Sequence, residues 1–285
     1  IIDGFEADLL VLYTGHNDYI NVLRIDDILT IEKLSRTSLK RRLKIIRLLS
    51  PSRVFQLLEQ LVWASRRTLE KTITYDEYVQ AKRQVFRMAE AGFKDNIEDI
   101  ILMARKADIP VLLCTVASIT YGCPPFNSAL PGKLSHSDWG ALLDLNDQIV
   151  FRLWQNRPRE AVEIAQTTLQ INPRNAHLLY LYGSALFNSG RFDEAKAALQ
   201  SARDEDISGR RAPGNVNRIL KELVQLYSIP LADIERAFQD RCRNGIIDDS
   251  LFIDPIHPSP EGHRVIAETL AKTIIDSGIL SVRDR

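Results

Sequence analysis

The sequence predicts an α/β protein: a parallel sheet covered by helices and interrupted twice by helical insertions. Three observations carry this. Short continuous apolar runs at residues 8–13, 109–116 and 229–233 read as strands, two of them buried on both faces. Amphipathic helical patterns precede or follow them. Strand, helix, strand, helix, strand, helix is the order of a parallel sheet with helices on both sides.

Taken in order, Asp8-Leu9-Leu10-Val11-Leu12-Tyr13 is the first strand, stopped by the turn-formers Thr14-Gly15-His16-Asn17-Asp18. Residues 19–91 read as a helical insertion. Its segment Lys33–Arg53 holds eight basic residues and no acidic one, with Leu39, Leu43, Ile46 and Leu49 at helical spacing. Such a helix either packs by its leucine stripe with a solvated basic face, or makes peripheral contact with an anionic membrane through residues 33–53. The core resumes over residues 92–141. A helix near Asn96 to Lys106 carries Ile97, Ile100, Ile101 and Ala104 on one face, and Ile109 to Val116 forms the second strand. Cys114 in that strand reads as a small core residue.

The second insertion, residues 142–209, contains an internal repeat. Ala161, Ala165 and Thr168 recur 34 residues later as Ala195, Leu199 and Ala202. Asn156-Arg157-Pro158-Arg159-Glu160-Ala161 likewise matches Gly190-Arg191-Phe192-Asp193-Glu194-Ala195. With Gly183 in a first helix and Pro173 closing a repeat, this period resembles the tetratricopeptide repeat. Its small residues let paired helices approach closely. Two copies are fewer than the roughly three a free-standing solenoid needs, so the repeats must lean on the core or on a protein partner. Residues 210–285 complete the core with a helix at Val216 to Tyr227, the third strand, and a last helix from about Pro260 to Ser277. That helix shows Val265, Ile266, Leu270, Ile274 and Ile275 as its apolar stripe.

Composition removes several function classes. Of 285 residues, 45% are apolar and 26% charged, ordinary for a globular chain. Lys plus Arg is 37 and Asp plus Glu is 37, so no global charge favours nucleic acid. No apolar run approaches the roughly 18 residues of a spanning helix. The three cysteines form no CxxC pair, and no metal-ligand spacing or Gly-rich phosphate loop is present, so neither metal nor cofactor is expected. The chain opens Ile1-Ile2-Asp3-Gly4-Phe5 and enters a strand within a few residues, which reads as a fragment lacking its true N-terminus. The compartment is left open, with a lean toward a bacterial cell envelope.

Two short motifs carry chemistry. In Asp254-Pro255-Ile256-His257-Pro258, followed by Glu261-Gly262-His263, a carboxylate three residues from an imidazole can fix its tautomer and stabilise the imidazolium formed in acyl transfer. In Gly15-His16-Asn17-Asp18, glycine permits a tight turn at the strand end and Asn17 offers an amide donor toward a developing oxyanion. Together, in this order on an α/β core, the motifs resemble the SGNH, or GDSL, hydrolase superfamily, over about residues 1–18, 93–127 and 212–277. The repeat, the Cys123-Pro124-Pro125-Phe126 loop, and Asp204-x-Asp206 followed by Arg211-Ala212 resemble a bacterial subgroup with tetratricopeptide repeats inserted in the hydrolase domain.

The resemblance implies a three-layer αβα core and a serine-type esterase acting on an ester or O-acyl group. His257 would be general base and acid, Asp254 its orienting carboxylate, Asn17 an oxyanion donor and Gly15 the residue shaping that loop. The nucleophilic serine and a further oxyanion glycine would precede Ile1, so this chain alone is expected not to turn over ester. Ser118 reads as a buried strand-end serine, and Ser259 lies too close in sequence to His257 to be its nucleophile. Arg210 and Arg211 have two readings: a fork for a substrate carboxylate or phosphate, or, the favoured one, internal pairing with Asp204 or Asp206. Trp63, Trp139 and Trp154 read as helix-packing residues. The alternative function is a repeat-mediated interaction scaffold on an inactive hydrolase core. A third reading is an envelope-associated O-acyl-modifying enzyme docked through its basic helix.

Overall fold

The computed structural model describes residues 7–17, 75–129 and 136–280. The chain divides into two compact units, residues 1–20 with 89–285 and residues 21–88. The second unit is described only from Tyr75, where Phe86 packs against Ala81 and Val85. The basic stretch Lys33–Arg53 and Trp63 lie outside the described residues.

Three strands, β1 (Leu10–Leu12), β2 (Val111–Cys114) and β3 (Leu231–Ala232), form a parallel sheet in that order. Leu10 pairs with Val111 and Leu113 with Leu231. All three are shorter than their apolar runs. Proline begins two of them: Pro110 and Pro230 have no N–H to give, but their carbonyls accept from Leu10 (2.9 Å) and Leu113 (3.2 Å). Side chains alternate across a strand, so the complete burial of all four β2 residues means that both faces are covered. The expectation of a doubly buried first strand is corrected. β1 lies at the edge of the described sheet, and Val11 is 37% exposed.

The helix expected from Asn96 is far longer. α1 runs Tyr75–Lys106, so residue 91 is no break in secondary structure. Val85, Ala89, Phe93, Ile97 and Ile101 recur every four residues, all buried, and no proline interrupts them. After β2 come the repeat helices α2 (His136–Trp154), α3 (Pro158–Ile171), α4 (Ala176–Asn188) and α5 (Phe192–Asp204). The chain returns through α6 (Gly214–Tyr227), β3, α7 (Ile234–Arg241) and α8 (Pro260–Ser277).

On the sheet, Leu112 and Cys114 share one core with Ile234 and Phe238 of α7, Phe252, and Val265 of α8. Ile266, Leu270 and Ile274 pack against it. Ile275 does not; it is 77% exposed, which narrows the expected stripe by one residue. Helix α8 starts on Ser259, whose hydroxyl accepts from the Gly262 N–H (3.2 Å), and ends at left-handed Gly278.

The repeat is visible down to single hydrogen bonds. Ala161, Ala165 and Thr168 on α3 and their counterparts Ala195, Leu199 and Ala202 on α5 are all buried. The turns before these helices match as well: Asn156 and Gly190 both take positive φ (57° and 81°). Arg157 N–H donates to the Arg152 carbonyl, and Arg191 N–H to that of Leu186. A Cβ at Gly183 would sit 2.7 Å from Leu199 Cγ, so glycine here sets how closely α4 and α5 approach. The repeats lean on the α/β part, because their core includes Ile246, and Tyr121 stacks on Phe187 at 4.3 Å. Trp154 departs from the packing reading: it is 81% exposed, in contact with Phe151. The Trp139 side chain lies outside the described residues.

Candidate functional site

The candidate residues gather beyond the carboxyl ends of the strands, where parallel α/β sheets present their loops. Past β2 the chain runs on without regular secondary structure from Thr115 to Thr120, entirely buried. Much of its backbone is satisfied from elsewhere in the chain, as burial requires. Val116 gives its N–H to Asn217 Oδ1 and accepts from Asn217 Nδ2, both at 2.8 Å. Thr120 donates through both N–H and hydroxyl to the Ile247 carbonyl. Ile119 donates to the Pro255 carbonyl (3.1 Å), which ties this stretch to the Asp254–His257 turn.

In that turn Asp254 Oδ1 accepts from the N–H groups of Ile256 (3.0 Å) and His257 (2.8 Å). Its Oδ2 lies 2.6 Å from His257 Nδ1. Phe252 and Pro258 form an antiparallel bridge that closes the turn, with Ile253 donating to the His257 carbonyl. Partial burial works to raise the Asp254 pKa. The Ile256 N–H, the imidazole and the His257 N–H outweigh it and hold the carboxyl below its ordinary value. An ionised carboxylate only accepts, so Nδ1 carries the proton and the Nε2 lone pair is left free on a side chain 65% exposed.

The loop after β1 shows why glycine stands at its centre. Gly15 has φ +151°, and a Cβ there would meet Val216 Cγ1 at 2.7 Å and Val116 Cγ2 at 3.3 Å. The next residue, His16, had no assigned role in the sequence. Its Nδ1 accepts from the Ala212 N–H (3.2 Å), so Nε2 carries the proton and donates to the Ala117 carbonyl (3.2 Å). Burial pushes this imidazole down to about 4, and the charges of Arg203, His257 and Asp254 all act on it. The loop after β1 and the segment entering α6 therefore meet beyond the strand ends. Asn17 is exposed at the end of the loop, and Asp18 lies outside the described residues.

Arg211 takes the internal of its two readings, which corrects its use as a substrate fork. Its side chain is 2% exposed, with Nη2 3.4 Å from Asp206 Oδ2. Nη1 donates to the carbonyls of Ile119 (2.9 Å) and Cys123 (3.0 Å). Arg210 is exposed, its guanidinium 4.7 Å over the Phe126 ring. Ser118 is 2% exposed, and Ser259 is engaged as the α8 cap.

Asn217 was also unassigned, although it carried a signal: a polar residue on the apolar face of α6 beside Val216 and Leu220 asks for a buried partner. His16 carried no such signal, because an imidazole in a turn is ordinary. Among the described residues no group of three or more His, Cys, Asp or Glu is placed to hold a metal ion. No described helix is long and apolar enough to cross a membrane.

No curated protein and no solved structure matches the chain. A family model of the tetratricopeptide repeat matches residues 153–206, the end of α2 through α5. The period, the matched turns and the buried small positions agree with it: this segment is a tetratricopeptide repeat.

Proposed function

We propose that Asp254 and His257 are the general-base half of an acyl-transfer site for an ester or O-acyl group, with the repeat segment docking a protein partner beside it. The reading is carried by the 2.6 Å contact between His257 Nδ1 and Asp254 Oδ2, which leaves Nε2 as an available base. A serine hydroxyl brought to Nε2 gives up its proton as it attacks the acyl carbon. Asn17 offers an amide donor to the oxyanion, and His257 then returns the proton to the departing alcohol. Asp254 holds the ring and stabilises the imidazolium throughout. The SGNH resemblance implies a serine nucleophile, a role that neither the buried Ser118 nor the capping Ser259 fits, and a three-layer core.

The test is a fluorophosphonate probe applied to the folded protein, with His257→Ala as control. The expected result is one labelled serine, lost in the control. An unlabelled, folded natural protein overturns the enzyme reading. A second reading, an interaction scaffold, is favoured by the repeat match and by the burial of Ser118 and capping of Ser259.

A further inference from the structure

We infer that Arg211 is a positioning residue for the Asp254–His257 pair, acting on the imidazole through the Ile119–Cys123 stretch from the seam where the repeats rejoin the sheet. This rests on the reading of that pair as the base. The Ile119 peptide is the connecting piece. Its carbonyl accepts from Arg211 Nη1 at 2.9 Å, while its N–H donates at 3.1 Å to the carbonyl of Pro255, the residue next to Asp254. A second anchor on the same nitrogen, the Cys123 carbonyl at 3.0 Å, pins the far end of the stretch.

The guanidinium is itself pinned from the repeat side. Asp206, just past α5, pairs with Nη2 and accepts from the N–H groups of Phe126 (2.9 Å), Asn127 (3.1 Å) and Ser208 (2.9 Å). Arg211 Nε is buried with no hydrogen-bond partner. Orphaned buried donors are costly and persist where surrounding contacts over-determine the geometry. Here the fork is committed to two carbonyls and a carboxylate at once, which a planar guanidinium reaches and an ammonium does not. The next residue extends the same seam to the other half of the site, since the Ala212 N–H holds the His16 ring.

The experiment uses this chain and reads the ring 15N shifts of His257 at a pH where its imidazole is neutral, assigned with His257→Gln. The wild-type ring is expected to be locked as the Nδ1–H tautomer. In Arg211→Met the ring returns to the tautomer mixture of a free imidazole, a fall of about threefold or more in the ratio of the two forms. Arg211→Lys keeps a charge at this position and carries the test should the methionine variant not fold; it shows a smaller fall in the same direction. The control is Arg203→Met, which breaks the other buried guanidinium at the seam, paired with Asp204 and Glu235 and making no contact with Ile119. It leaves the His257 signature unchanged. A locked tautomer that survives in both Arg211 variants, or is lost equally in Arg203→Met, overturns the inference. A wild-type ring that is not locked overturns instead the reading of the pair as a base.

Discussion

The packed faces of the repeat helices and the stretch Thr115–Thr120 are both buried, but they are held by different means. Between α3, α4 and α5 small positions such as Ala161 and Ala195 pack with larger ones such as Leu178, Leu186 and Leu199, and the energy is shared among many atom pairs. Along Thr115–Thr120 single backbone groups have individual partners: Asn217 for Val116, His16 for Ala117, Arg211 for Ile119, Ile247 for Thr120. Dispersion spreads energy over many atoms, whereas a buried polar contact concentrates it in one pair. The repeat should therefore yield gradually to substitution, and the site abruptly.

Asp206→Ala is the sharpest way to probe this contrast. It removes the carboxylate facing Arg211 and the acceptor of three N–H groups, and leaves a buried cation. A loss of about 3–5 kcal/mol in urea unfolding is expected. A loss below about 1 kcal/mol would put the two regions on the same footing.

His16 gives the same contrast a pH dependence. Its folded pKa lies near 4 against the ordinary 6.5, so between those values the unfolded chain takes up a proton that the folded chain refuses. Stability is thus fully present above about 6.5 and declines as pH falls toward 4, by up to about 3 kcal/mol. His16→Gln, which retains a donor and an acceptor, should flatten that window in melting curves taken across pH. An unchanged slope would remove His16 as its source.

The smallest effect belongs to the repeats. Gly183→Ala forces a Cβ to 2.7 Å from Leu199 Cγ and should cost about 1–2 kcal/mol. Gly140→Ala, on α2 with open space around it, should gain about 0.5–1 kcal/mol. Thermal unfolding of the two variants side by side checks the opposite signs.

What could be read from the residues follows the same division. The repeat was legible because its packing rule recurs every 34 residues, and Asp254 with His257 because three residues of one turn bring them together. Apolarity marked β1 as strand but said nothing of its place at the sheet edge, which depends on what pairs beside it. Ile275 and Trp154 were misjudged for a related reason: a helical stripe fixes angles around an axis, not how far the neighbouring core extends. The partners of His16 and Asn217, and the carbonyls held by Arg211, come from segments remote in sequence. Only the folded topology joins them.

That remoteness bears on how the protein is made. The Arg211 bonds to Ile119 and Cys123 span 92 and 88 residues, and the His16 bond to Ala212 spans 196. On a chain emerging from the ribosome, Ile119 must wait for all of the repeats to follow before its anchor exists. Each helical hairpin, by contrast, needs only its own local residues to close, and local contacts form fastest. The hairpins are thus placed to fold first and offer the nascent loop a surface, Phe187 against Tyr121, on which to wait. The inserted repeats then serve as a template for the site they interrupt.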